Sequence, residues 1–211
     1  MSDPLAALQA RHRRCHRCVD AGFIPVARPV FSGAAGQRVL LVGQAPGPVE
    51  VDEHRPFAGR AGRQLMRWFQ RAGFESEAEV RRRVYMTSMT TCFPGRNAAG
   101  TGDRRPSARE VTLCAPWLDS VLALLQPRII IPVGSLALSR FLPALRLDDC
   151  VGRVFGADGM EVRLPPPSDA GRVLVPLPHP SGQSRWLNDP SRAALLDHAL
   201  LLLRDLLGWA V

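Results

Sequence analysis

RVLLVGQAPG, residues 38–47, joins an apolar run to a turn built on two glycines and a proline. The run does not alternate apolar with polar, so it reads as a strand covered on both faces. Three further runs follow: Val84–Thr90 (VYMTSMT), Arg128–Gly134 (RIIIPVG) and Val173–His179 (VLVPLPH). Between them the pattern changes to a helical one. Gly62–Ala72 places Leu65, Met66 and Phe69 on one face. Ser107–Leu125 opens on SARE, a capping box, and carries Val111, Cys114, Leu118, Val121 and Leu125. Ser135–Phe141 and Ser191–Leu207 are the other two helical stretches. Strands alternating with helices predict an α/β, three-layer αβα domain around a central, mostly parallel four-stranded sheet.

Outside this alternation, Phe93–Arg105 (FPGRNAAGTGDRR) reads as a mobile surface loop. The stretch 158–172 reads as a short hairpin, with Met160–Leu164 as one strand and the PPPSDAG turn after it. Residues 1–35 are Arg-rich without a periodic pattern. They read as a segment wrapped onto a single domain spanning 1–211.

The 211 residues carry 27 basic side chains, all of them Arg, against 19 acidic ones, a formal charge of +8. A lysine-free chain has no lysine Schiff base, P-loop lysine or lysine general base. Arg binds phosphate with a planar fork and stays charged, so the excess suits a polyanion partner as well as plain solubility. Apolar content of 46% is that of a folded chain. The N-terminal MSDPLAALQARHRRCHRC has no apolar core of a signal peptide, and Asp197, Arg204 and Asp205 interrupt the last apolar stretch, so no membrane span is expected. A cytoplasmic location follows as the expectation, and there the five cysteines serve as ligands or free thiols.

In a sheet of this class ligands sit beyond the carboxyl ends of the strands. The turn at Gly43–Gly47 lies there, and so does His179-Pro180-Ser181 after the last strand. Between them in sequence, Arg55–Gly62 (RPFAGRAG) sets Phe57 among Pro and small residues at a helix start. Phe57 either offers a flat face to a base or anchors its loop to the core. Arg60 and Arg63 there suit a phosphate. Arg185, Trp186 and Leu187 precede the last helix. Trp186 is either a wedge for a base stack or packing beneath its own loop. Cys15-x2-Cys18 is a chelating turn, with Cys92 at a strand end and Cys114 on a helix. Four thiolates hold zinc or an iron–sulfur cluster. Cys150 is left over as a buried, inert thiol.

Taken in order, GQAPG (43–47), RPFAGRAG (55–62), the strand ending in Cys92, the helix carrying Cys114, QPRIIIPVG (126–134) and HPS (179–181) resemble the uracil-DNA glycosylase superfamily, and within it family 4, the iron–sulfur type. The resemblance covers nearly the whole chain. It implies that uracil or another deaminated base is flipped out of DNA and its N-glycosidic bond hydrolysed, leaving an abasic site. It implies that Cys15, Cys18, Cys92 and Cys114 hold a [4Fe-4S] cluster that ties residues 1–35 to the body. Phe57 stacks on the base, His179 donates to it as it departs, and Glu50 acts on water or the sugar. Gln44 and Ala45 contact the base through their amides. Arg60, Arg63, Ser181, Arg185, Trp186 and Leu187 bind DNA. Arg96, Arg104 and Arg105 face it too, while Arg13, Arg14 and Arg81–Arg83 form a solvated surface. The absence of lysine fits a monofunctional enzyme, expected as a monomer.

Three positions depart from the family pattern. Gln44 stands where family 4 has Glu, and Val51 replaces one of an acidic pair. Ser88 replaces an Asn that reads the uracil edge, and a hydroxyl lacks the reach of an amide. A lesion or abasic-site binder of the same fold, weak or inactive in catalysis, is the alternative these departures suggest.

Overall fold

The computed structural model describes residues 3–167, 171–182 and 185–209; of Arg185 only the backbone is described. In chain order it contains α1 (Pro4–His12), α2 (Arg17–Asp20), β1 (Val39–Gly43), α3 (Pro48–Asp52), α4 (Arg60–Arg71), α5 (Glu77–Arg83), β2 (Val84–Ser88), α6 (Ala108–Leu125), β3 (Ile129–Pro132), α7 (Ser135–Phe141), α8 (Leu147–Cys150), β4 (Phe155–Gly156), β5 (Val173–Leu174), a 3-10 turn (Arg185–Asn188) and α9 (Pro190–Trp209).

The strands lie in the order β2-β1-β3-β5-β4. All neighbours are parallel except β4 and β5. The four strands read from sequence are present, and a fifth, β4, caps the edge. It was missed because two residues carry no period. A hairpin forms N-terminal to the expected one, whose PPPSDAG turn lies partly outside the described residues. Phe155 bridges Glu161 across a turn at Asp158-Gly159.

Alternate residues of β1, β2 and β3 go to opposite layers. Val39, Leu41, Val84, Met86, Ile129 and Ile131 pack with Leu65, Phe69 and Leu203 from α4 and α9. Leu40, Val42, Tyr85 and Ile130 pack with Leu5, Leu8, Leu118, Val121 and Leu138 from α1, α6 and α7. Each fully buried side chain of this kind contributes about 1.5–3 kcal/mol, which is why the runs carry no polar alternation. The N-terminal segment contains a helix after all: Asp3 caps α1 by accepting from the Leu5 amide, and Pro4 opens it.

Within Phe93–Arg105, read as a mobile loop, Gly95–Arg104 is a hairpin hydrogen-bonded across its base. Arg96 bridges Asp103, the Asn97 amide donates to the Gly102 carbonyl (2.8 Å) and the Arg104 amide to that of Gly95 (2.9 Å). Its root is Arg104, whose guanidinium donates to both oxygens of Glu110, 2.7 Å each, and to the Phe23 carbonyl. Glu110 also accepts from Ser107, completing the predicted capping box. Burial opposes the Glu110 charge, but the bonds from Arg104 and Ser107 outweigh it and hold the carboxyl below its ordinary range.

β1 is flanked by β2 on one side and β3 on the other, so the connections leaving them diverge. The gap at the carboxyl ends of β1 and β3 is therefore a topological switch point, the place where an α/β sheet opens a crevice.

Candidate active site

A cavity of about 350 Å³ occupies that crevice, lined among others by Gln44, Ala45, Glu50, Phe57, Ser88 and His179. These residues come from four loops or strand ends and one short helix. Gln44 and Ala45 leave β1, Ser88 ends β2, His179 follows the last strand, Glu50 lies in α3, and Phe57 comes from the loop between α3 and α4.

Phe57 is held in an uncommon conformation, with φ at +54°. Two glycines make room for it. A Cβ on Gly43 would stand 2.8 Å from the ring's Cζ, and one on Gly62 would stand 1.8 Å from the Phe57 carbonyl oxygen. The ring thus lies across the end of β1, while the first turn of α4 presses on its backbone. Arg81 fixes the same loop by donating to the Pro56 carbonyl (3.1 Å) and to Glu77 (2.8 Å). Arg81 was expected on a solvated surface. It is instead a support of the Phe57 loop. A non-glycine residue at positive φ, held on three sides, is the kind of strain found at binding sites.

His179 accepts a hydrogen bond at Nδ1 from the Ser181 backbone amide (3.2 Å), and Ser181 Oγ lies 2.9 Å away. Burial lowers its pKa below the ordinary 6.5. A neutral ring with Nδ1 accepting must carry its proton on Nε2. His179 is therefore a hydrogen-bond donor at Nε2, and Gly134 allows it this seat, because a Cβ there would meet the imidazole at 3.3 Å.

Glu50 joins two loops. Its Oε2 accepts from the Gly47 amide (3.1 Å) and its Oε1 from the Gly59 amide (2.7 Å). Asp103, at the base of the hairpin beside Arg104, also lines the cavity. Sequence reasoning missed it, because one Asp within a Gly- and Arg-rich stretch carries no spacing signal.

Beside the cavity runs a groove lined by Arg60, Arg63, Gln64, Arg67, Ser181 and Leu187. Arg67 is an addition, one helical turn beyond Arg63. Trp186 does not face this groove. It is 9% exposed, packs in the core and donates from Nε1 to Asp148 (2.6 Å), with Arg192 over its ring. The wedge reading of Trp186 is corrected: an indole in contact with the core and bonded to a carboxylate is an anchor. Arg104, committed to Glu110, is likewise a strut. The side chain of Arg185 lies outside the described residues.

Cys15, Cys18, Cys92 and Cys114 line one small cavity with Ile24, Ala27 and Thr90. Burial, followed by repulsion from neighbouring thiolates, pushes Cys18 up to about 11. Burial also pushes Cys92 up to about 12, against a backbone hydrogen bond that lowers it. Polar groups already lie against two of the sulfurs. Trp117 Nε1 donates to Cys15 Sγ (3.2 Å), and Thr91 Oγ1 lies 3.7 Å from Cys114 Sγ. Behind them His12 is stacked between Phe31 and Trp117 at 4.6 and 4.4 Å. Four thiols around an apolar hollow, with the Trp117 N–H on Cys15 and a hydroxyl beside Cys114, fit a thiolate-held group. Among the described residues, no three His, Cys, Asp or Glu side chains are grouped to hold a single metal ion. Cys150 stands apart, fully buried, with its Sγ donating to the Arg146 carbonyl.

The family model of the uracil DNA glycosylase superfamily matches residues 30–204. The chain belongs to the uracil-DNA glycosylase superfamily. Among relatives, a type-4 uracil-DNA glycosylase of Sulfurisphaera tokodaii is 32% identical over 133 residues, 63% of this chain and 55% of the relative. One of Thermotoga maritima is 27% identical over 168 residues, covering 80% and 77%. A type-5 uracil-DNA glycosylase of Pyrobaculum aerophilum is 31% identical over 144 residues, covering 62% and 60%. The match thus spans little more than half of the Sulfurisphaera relative's own length. The glycosylase-family match contains the whole crevice and both later cysteines, while Cys15 and Cys18 precede it. Among the described residues no helix is long and apolar enough to cross a membrane.

Proposed function

We propose that this chain is a monofunctional glycosylase, hydrolysing the N-glycosidic bond of uracil or a related deaminated base in DNA and leaving an abasic site. The observation that carries this is the meeting of Phe57, His179, Ser88 and the Gln44-Ala45 turn in one cavity beside an arginine-lined groove. A base turned out of the stack enters the cavity and lies on the Phe57 ring. The Gln44 and Ala45 amides and Ser88 bound its edge. As the C1′–N1 bond lengthens, negative charge gathers on the base and positive charge on the sugar. His179 Nε2–H meets the first, and the fixed charge of Glu50 favours the second. Arg60, Arg63 and Arg67 hold phosphates on the approach, with Ser181 and Leu187 beside the strand. Relatives named type-4 and type-5 uracil-DNA glycosylases support the same reading.

The test is release of free base from oligonucleotides carrying uracil, hypoxanthine or xanthine, single- and double-stranded. Release from at least one substrate is expected. Tight binding of uracil-DNA with no turnover would select the lesion-binding alternative. Ser88→Asn, measured alongside, is expected to raise uracil release about tenfold, the worth of one added hydrogen bond of about 1.4 kcal/mol. An unchanged rate would show that Ser88 does not limit uracil recognition.

Cys15, Cys18, Cys92 and Cys114 would hold a [4Fe-4S] cluster, which when bound acts as a covalent tie between the N-terminal segment, the end of β2 and α6. The purified protein is then expected to be brown, with absorbance in the visible. Cys92→Ser should lose the colour and melt several degrees lower. A colourless wild type containing zinc would refute the cluster.

A further inference from the structure

Resting on the glycosylase reading above, we infer that Asp103, carried by the Gly95–Arg104 hairpin, is the catalytic carboxylate that takes the proton from the attacking water. Among the described residues, two carboxylates line the cavity, Glu50 and Asp103. They approach each other over Gly47, where a Cβ would lie 2.9 Å from Glu50 Oε2 and 3.0 Å from Asp103 Oδ2. Only a glycine at 47 leaves this space open, so both oxygens border the same small volume at the cavity wall.

The hydrogen bonds separate their roles. Each Glu50 oxygen already accepts a backbone amide, one from Gly47 and one from Gly59. Taking a proton there would weaken the two bonds that hold the Gly43–Gly47 turn to the start of α4. Asp103 Oδ1 accepts from Arg96 (3.0 Å), while among the described residues no donor reaches Oδ2. The hairpin is rooted one residue away by the Arg104–Glu110 pair. That places Asp103 on a fixed support. Burial, and then the charge of Glu50, raise the Asp103 carboxyl above its ordinary range against the opposing pull of Arg96. A more basic carboxylate is the better proton acceptor.

The step balances without a cofactor. The water oxygen forms a bond to C1′, and Asp103 Oδ2 takes one of its protons. The C1′–N1 bond breaks, and its electron pair leaves on the base as an anion hydrogen-bonded by His179 Nε2–H. Asp103 then returns its proton to solvent, from which the base is protonated. Glu50 keeps its charge throughout and acts on the sugar by field alone.

The decisive experiment compares wild type with Asp103→Asn in single-turnover base release across pH 4–9, with DNA affinity and Tm measured on the same samples. The amide oxygen of Asn still accepts from Arg96, so the hairpin should persist. The expected result is a fall of about a hundredfold in rate, unchanged Tm and DNA affinity, and loss of the acid limb, on which the wild-type rate declines as pH falls and the carboxylate is neutralised. An active wild type with Asp103→Asn within threefold of it overturns the inference alone. Parallel losses of rate, affinity and Tm would assign Asp103 a structural role and overturn it as well. A wild type inactive on every substrate overturns the proposed function and this inference together.

Discussion

His179→Ala is expected to lower single-turnover base release by 10²–10³-fold, with Tm nearly unchanged. The imidazole contributes a donor at the position where charge appears on the departing base, and removing one such donor typically costs that much. The loss should fall on the chemical step and leave DNA affinity close to wild type, because the bond strengthens only as the base becomes an anion. The pH dependence has a definite sign. Burial keeps the folded ring neutral below the ordinary 6.5, whereas the unfolded ring protonates there. His179 therefore favours the folded state fully above about pH 6.5, and that contribution declines as pH falls toward its lowered folded value. His179→Ala should remove this decline from a Tm-against-pH curve. A variant that keeps wild-type rates would exclude His179 from the chemistry.

Gly62→Ala is expected to be the most damaging small substitution. The added methyl would stand 1.8 Å from the Phe57 oxygen and 2.2 Å from its carbonyl carbon, both backbone atoms. No rotamer change relieves that contact, so either the start of α4 or the Phe57 loop must move. Overpacking of this kind costs about 1–3 kcal/mol. A displaced stacking ring costs on the order of a hundredfold in rate when reacting groups shift by about 1 Å. Gly208→Ala is the control: its Cβ would meet nothing within 4 Å. It should leave rate and Tm at or slightly above wild type. Equal behaviour of the two variants, measured by thermal melting and base release, would refute the tight seat of Phe57.

Both predictions rest on positions whose importance was unevenly legible. His179 was legible because it closes the apolar run 173–179, whose carboxyl end in an α/β sheet lies at the crevice rim. Gly62 was legible only as part of a small-residue run. Its reason is the approach of a helix to a backbone carbonyl, which no local pattern records. Trp186 shows the reverse case. Its neighbours Arg185 and Leu187 suggested a surface wedge, yet the ring's partner is Asp148, 38 residues away. Arg81 and Arg104 similarly looked like free positive charge until Glu77 and Glu110 were found beside them.

The sequence by itself determined the layered α/β class, the four principal strands and the capping box at Ser107, while Ala45, Glu50 and Ser88 were named only by resemblance to a family. The class, strands and cap follow from short-range rules: apolar runs and helical period. Tertiary structure alone decided which charges are spent on support and which remain for chemistry. Glu50 bonded to two amides, and Asp103 brought opposite it by a hairpin, are separated by 53 residues of chain and joined by one glycine's missing side chain. Hydrogen bonds between distant segments depend on distances within about 3 Å, and residue order carries no such distance until the chain has folded.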